Sequence, residues 1–221
     1  MPVTEFCFLH LSSPFTPETH QTLEEAQCIQ DKWALEQDPN TPLNRIARGT
    51  GMLQQIGDPT ALLITAPWES PAAHWEWIGT DANKEAMRKL TPLIVTEGDK
   101  KLVLFHVDAI LFPRPDDDVT SPLASAVLGV HRYRVKSSER EAFESRVVEA
   151  LATLATGPGT PFGWGWRIEK GNDDTEDLLM VRGWDSEEQR AGFIGSDEYV
   201  VLEELASHTL DFDIYSYRRI V

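Results

Sequence analysis

The chain has 221 residues, 41% of them hydrophobic and 25% charged, with a net charge of −16. That length suits two domains of about 100 residues each, and the composition is that of a folding chain rather than a disordered one. Both halves are acidic, which repels phosphate backbones and anionic bilayers and excludes nucleic acid and membrane surfaces as expected partners.

Taken in chain order, Val3–Leu11 reads as a strand that is apolar at both parities. Thr16-Pro17 opens a helix, with Leu23, Ala26, Ile29 and Trp33 on its inner face. Asp38-Pro39-Asn40-Thr41-Pro42 is loop. Met52–Ile56 and Ala61–Trp68 are strands, Ser70-Pro71 opens a second helix, and Lys101–Asp108 is a fourth strand. Phe112 to Pro122, with three prolines and the run Asp116-Asp117-Asp118, reads as a solvated linker. The order then recurs. Ala126–Val135 is a strand, Ser138 and Glu141 form a capping box, and Phe143, Val147, Leu151 and Leu154 repeat at helical spacing until Gly157-Pro158-Gly159. Phe162 to Ile168 alternates as a strand, Gly171 to Asp174 turns, and Leu178–Trp184 is the next strand. Ser186 caps a helix that Gly195-Ser196 interrupts, and Leu210–Ile220 is the last strand.

The recurrence is visible in the letters. Leu62-Leu63, Trp68-Glu69-Ser70 and Trp77-Ile78-Gly79-Thr80-Asp81 return 116 positions later as Leu178-Leu179, Trp184-Asp185-Ser186 and Phe193-Ile194-Gly195-Ser196-Asp197. Phe6 to His10 matches Val127 to His131 at an offset of 121, which places five extra residues in the first copy. The fold class expected is α+β: two tandem β-α-β-β-α-β ferredoxin-like repeats, residues 1–111 and 123–221, joined by a linker at 112–122. Helices cover one face of each sheet. Strands that are apolar on both sides therefore ask the two sheets to cover each other.

These features resemble the dimeric α/β barrel superfamily, and within it the antibiotic biosynthesis monooxygenase-like domains in tandem. The doubled element order carries the resemblance, together with the tryptophan that ends the third strand of each copy, Trp68 and Trp184. It covers nearly the whole chain. It implies a covalently linked pseudo-dimer, and activities that range over cofactor-independent oxygenation of aromatic polyketides, haem degradation and polyketide cyclisation. Members with a histidine on the second helix are matched here by Asn83 and Tyr199. The first-strand histidine of some cyclases is roughly matched by His10 and His131.

Four histidines are the catalytic candidates: His10 and His131, His106 on the apolar parity of Leu102 and Leu104, and His74 beside Trp75 and Trp77. Imidazole titrates near neutral pH and serves as general acid or base. Each could equally be a hydrogen-bonded core histidine. Trp68, Trp77, Asn83, Tyr133, Trp164, Trp166, Trp184 and Tyr199 are the substrate-binding candidates, Trp164 and Trp166 as one flat wall. Arg167, Arg182 and Tyr133 could meet a carboxylate or phenolate. No metal-ligand cluster and no Gly-rich phosphate loop is present. Cys7 and Cys28 are expected to be reduced, buried thiols of a cytoplasmic protein. No secretory signal and no spanning segment is expected. The expected function is a cofactor-independent enzyme acting on an apolar aromatic or polyketide-like molecule in secondary metabolism, by oxygenation or by histidine-catalysed cyclisation or isomerisation. The alternative is a non-catalytic small-molecule or haem binding protein. The expected assembly is a monomeric pseudo-dimer or a homodimer.

Overall fold

The computed structural model of the protein describes residues 1–113, 120–154, 162–171 and 173–221. The first repeat runs β1 (Val3–His10), α1 (Pro17–Gln37), β2 (Gly51–Gln55), β3 (Ala61–Trp68), α2 (Pro71–Gly79), α3 (Asp81–Leu90) and β4 (Val103–Val107). The second runs β5 (Val127–Lys136), α4 (Arg140–Leu154), β6 (Phe162–Trp166), β7 (Thr175–Trp184), α5 (Glu187–Ile194), α6 (Asp197–Ala206) and β8 (Asp211–Arg219). Local chemistry sets the helix ends. Thr16 and Thr19 cap α1 reciprocally with Pro17 in the first turn, and Ser70, Thr80, Ser186 and Ser196 each accept a backbone N–H at the start of a helix. The break of the second helix at Gly195-Ser196 occurs as read, and Gly79-Thr80 breaks its counterpart. Ser138 and Glu141 do not open α4 as a capping box; a 3-10 turn takes Ser137–Glu139 and the helix begins at Arg140. The glycine-proline turn at 157–159 lies outside the described residues.

All eight strands form one antiparallel sheet in the order β4-β1-β3-β2-β8-β5-β7-β6. Each repeat supplies four neighbours, and the repeats join where β2 pairs with β8, Leu53 opposite Arg219. The two outer strands also meet. Val107 bridges Arg167, Asp108 N–H donates to the Trp166 carbonyl at 2.9 Å, and Ile168 N–H donates to the His106 carbonyl at 2.8 Å. The sheet is thus a nearly closed barrel in which neither repeat leaves a long free edge.

The barrel interior is a packed core. Phe6, Leu63, Phe105, Leu128, Val130, Leu179, Val181 and Tyr217 fill it from both repeats. Two further cores lie between sheet and helices, one for each repeat. This explains strands that are apolar at both parities: one parity faces the barrel and the other the helices. The ends of the 112–122 segment are not solvated as expected. Phe112 (1% exposed) joins Leu111 and Leu123 in closing the barrel core, and Pro122 is buried as well. Cys28 also departs from expectation, being exposed on α1, while Cys7 is buried.

Strand pairing corrects the alignment of the repeats. Val3 pairs with Trp68 and Val127 with Trp184, so Leu9 opposite Leu62 corresponds to Tyr133 opposite Leu178. The first copy is therefore eight residues longer between these anchors, not five, and the matching offset on the first strand is 124. The counterpart of His131 is Cys7, and that of His10 is Arg134. An odd slip of three residues carries a side chain to the other face of a sheet. His131 accordingly points toward the helices, and the half-buried His10 shares the barrel-side parity of Phe6 and Phe8.

Candidate functional site

The first repeat concentrates buried ionisable groups at the junction of β1, β3, β4 and α2. Glu5 is an acid within an apolar strand, on the helix-facing parity of Val3, Cys7 and Leu9. Trp68, at the end of β3, donates its indole Nε1–H to Glu5 Oε2 at 2.9 Å. The first turn of α2 places His74 against the same carboxyl, Nε2 to Oε2 3.5 Å. The His74 ring stacks on Trp68 with centroids 4.3 Å apart and planes 7° from parallel. Its Nδ1 lies 2.7 Å from His106 Nε2 on β4. His106 ends the row on a residue of the second repeat, since Glu169 lies across the β4–β6 seam. Glu169 Oε1 is 2.5 Å from His106 Nδ1, and Oε2 accepts the His106 backbone N–H at 2.7 Å.

Burial governs the electrostatics. Glu5 is 5% exposed, and loss of hydration, partly offset by the Trp68 N–H, pushes its carboxyl up to about 7. His74 is 2% exposed, and burial together with the neighbouring His106 pushes it down to about 3, so it stays neutral. An acid raised and a base lowered in one cluster is the pattern of a proton-handling site.

Beside this cluster, between α1, the 38–50 loop, the end of β3 and α2, lies a cavity of about 500 Å³. Its apolar wall is made by Trp33, Trp68, Ala66, Pro67, Ile110 and Phe112. Trp33 leans on Trp68 at 6.1 Å and 46°, forming two adjoining aromatic panels, and is backed by Trp77 at 4.7 Å. The polar side is charge-balanced. Asp31 is held by Arg45 and by the buried Arg48, and Arg45 also grips Glu24 with both terminal nitrogens at 2.8 Å. Gln27, 1% exposed, directs its amide nitrogen to Gln30 and Asp31. Asp38, Glu69 and Glu76 complete the lining, which makes the cavity unfavourable for anions.

Of the four candidate histidines, the structure unites His74 and His106 and separates the other two. His10 lies at the far end of β1. His131 belongs to the helix layer of the second repeat, where Tyr133 and Phe212 pack near its ring and burial pushes it down to about 4. Neither ring nitrogen of His131, nor Tyr133 Oη, nor Trp184 Nε1 has a hydrogen-bond partner among the described residues. The binding candidates divide similarly. Trp68 lines the cavity. Trp77 is core behind Trp33, and Asn83 lies at the α2–α3 break, where its amide, turned so that nitrogen and oxygen exchange places, donates to the Ile78 carbonyl at 3.3 Å and accepts from Trp77 Nε1–H at 3.1 Å. Trp164 and Trp166 are not a free wall: both pack into the second-repeat core, and Trp166 is covered by Arg140 at 4.6 Å and bonded to Glu144. Tyr133, Trp184 and Tyr199 pack in the same core. Arg167 and Arg182 are also engaged. Arg167 lies over Phe105 at 4.4 Å and pairs with Asp177, and Arg182 lies over Phe193 at 4.0 Å. Sequence reasoning missed Glu5, Trp33, Arg48 and Glu169.

Strand order, the closed seams and the intrachain pairing define a pseudo-dimeric α/β barrel: the chain has the fold of the dimeric α/β barrel superfamily. No family model matches the sequence, and no curated protein sequence does. Solved structures do match. A candidate monooxygenase of Lactobacillus acidophilus superposes with a TM-score of 0.60 at 13% identity, covering 100% of this chain and 94% of that one. A candidate monooxygenase of Fusobacterium nucleatum gives 0.62 at 11%, covering 100% and 93%. An anthrone oxidase-like protein gives 0.62 at 10%, covering 98% and 91%. A haem-binding protein of Thermus thermophilus gives 0.53 at 13%, covering 99% and 92%. At these identities the likeness is one of fold.

The first-repeat cavity offers haem no axial ligand. The cavity is lined by no histidine, and the facing nitrogens of His74 and His106 are spent on each other. His131 is enclosed by Tyr133, Phe212 and the Trp184 ring. Among the described residues no group of three or more His, Cys, Asp or Glu could hold a metal ion, and no helix is long and apolar enough to cross a membrane.

Proposed function

We propose that the first-repeat cavity takes a neutral, largely apolar aromatic molecule, and that the protein is an oxygenase-like enzyme whose chemistry begins with proton removal. The observation that carries this reading is the Trp33–Trp68 wall, one panel of which is bonded to Glu5 and stacked on His74. An aromatic face accepts planar ligands by offset stacking. A cavity of about 500 Å³ suits two or three fused rings. The balanced charges at Asp31 and the acidic rim favour a neutral molecule over a carboxylate. Oxygenation of an electron-rich ring system passes through the anion that reacts with dioxygen, and Glu5, on the far side of Trp68 from the cavity, would take up the released proton after passing its own along the row. The monooxygenase and anthrone oxidase-like neighbours support this choice over cyclisation. A second reading, binding without turnover, has its own observation: Glu5 and His74 contact Trp68 but do not line the cavity.

The test uses two probes. In equilibrium dialysis, 2-naphthol binds the wild-type protein, and Trp33→Ala weakens binding about tenfold, the scale of a lost aromatic contact. With anthrone, oxygen uptake exceeds the protein-free rate; the methylene carbon loses two hydrogens and gains one oxygen atom, and the other leaves as water. Binding without uptake selects the second reading. Absence of 2-naphthol binding, or equal binding by Trp33→Ala, contradicts the cavity assignment.

A further inference from the structure

We propose that Glu5, His74, His106 and Glu169 form a directed proton path from the buried wall of the first-repeat cavity to solvent, with Glu169, contributed by the second repeat, as its outlet. One placement of the protons satisfies every contact in the row. Glu169 Oε2 accepts the His106 backbone N–H and Oε1 faces His106 Nδ1; with this partly exposed acid as the carboxylate, His106 Nδ1 carries the hydrogen. In neutral His106 the Nε2 is then bare, and His74 Nδ1, 2.7 Å away, must donate to it. That leaves His74 Nε2 bare and facing Glu5 Oε2 at 3.5 Å. Only a hydrogen on Glu5 completes the row. Burial that raises the Glu5 carboxyl and keeps His74 neutral agrees with this placement.

Transfer then balances link by link. The Glu5 proton passes to His74 Nε2, the Nδ1 hydrogen of His74 passes to His106 Nε2, and the Nδ1 hydrogen of His106 passes to Glu169 Oε1. The result is a carboxylate beside the cavity wall and one proton on a side chain that is 31% exposed and can release it to water. The 3.5 Å link closes by a few tenths of an ångström during transfer, as catalytic hydrogen bonds commonly do. The groups facing the path are Cys7 on β1, Trp68 on β3 and Trp75 on α2. The second repeat lacks the path. By strand register and helix position Gly129, Arg190 and Ser216 replace Glu5, His74 and His106, and the Trp184 ring covers Gly129.

The path stands on these contacts alone; its service to a bound molecule rests on the cavity reading above. Nitrogen-15 NMR of histidine-labelled protein at pH 7 should show neutral His74 and His106 rings, each with its hydrogen on Nδ1. Infrared spectra should show a protonated carboxyl band that is absent in Glu5→Gln. In Glu169→Gln, which keeps the size of the side chain but cannot take up the His106 proton, exchange of the two ring N–H protons with water should slow at least tenfold. A hydrogen on His74 Nε2, no protonated carboxyl in the wild type, or unchanged exchange in a folded Glu169→Gln overturns the proposal. None of these readouts needs a ligand, so they fail separately from the 2-naphthol test.

Discussion

Replacing Phe6 by alanine is expected to destabilise the protein by about 3–5 kcal/mol, the cost of emptying a large aromatic site in a core that cannot collapse freely. Phe6 is 0% exposed. It stacks on Phe105 with centroids 5.9 Å apart and planes 8° from parallel, and touches Phe8 and Phe112 at 6.1 and 6.2 Å. Its surroundings come from both repeats, because Leu128, Val130, Leu179 and Val181 share the same interior. The loss should therefore appear as one earlier transition of the whole chain, not as the melting of one repeat. Domains of this kind are stable by about 5–15 kcal/mol, so the variant should sit near the edge of folding. Urea titration followed by both tryptophan fluorescence and far-ultraviolet circular dichroism checks this. A loss below about 1 kcal/mol, or separate transitions by the two probes, would mean that the barrel interior is not a shared core.

Glu5→Gln should change the pH dependence of stability more than its value in acid. The folded carboxyl is raised to about 7 from 4.5, so between those limits the folded state keeps a proton that the unfolded chain has lost. Stability from this group is complete below pH 4.5 and disappears as pH rises through 7, a swing on the order of 3 kcal/mol. His74 and His131 act in the opposite sense. Their folded values, lowered to about 3 and about 4, contribute stability that is present above 6.5 and lost as the pH falls. Glutamine keeps the site uncharged at every pH, but Trp68 Nε1–H and His74 Nε2 both face the single Oε2 position, so its amide can satisfy only one of them. The variant should thus lie at or somewhat below the wild type near pH 4.5 and gain on it as the pH rises through 7. Urea midpoints across that range measure the gap. A gap independent of pH would show that Glu5 ionises as an ordinary surface acid does.

Much of the architecture was legible in the sequence because it rests on local rules. The 116-residue repeat of Trp68-Glu69-Ser70 and the Gly-Ser break of the second helix follow from capping and periodicity. The two-sided apolar strands announced a second sheet. Register was not legible. Phe6 to His10 against Val127 to His131 aligned by letter type, while the ladders place the match three residues away, and only pairing with β3 and β7 distinguishes a barrel-facing histidine from a helix-facing one. The site was half legible for the same reason. His74, His106 and Trp68 stood out by type. Glu5 carried a signal too, an acid at the parity of Val3, Cys7 and Leu9, but its partners come from three other elements. Trp33 read as an inner-face helix residue, and Arg48 and Glu169 enter through a loop and across the closing seam. The Trp164/Trp166 pair shows the converse: two indoles on one strand face were spent on packing beneath α4.

A crystal structure of the protein soaked with 2-naphthol tests most directly where an aromatic molecule sits. The expected density is a planar two-ring feature against Trp33 and Trp68, with the Glu5, His74, His106 and Glu169 row intact behind it. Density in the helix layer of the second repeat around His131 and Trp184, with the first-repeat cavity holding only water, would contradict it.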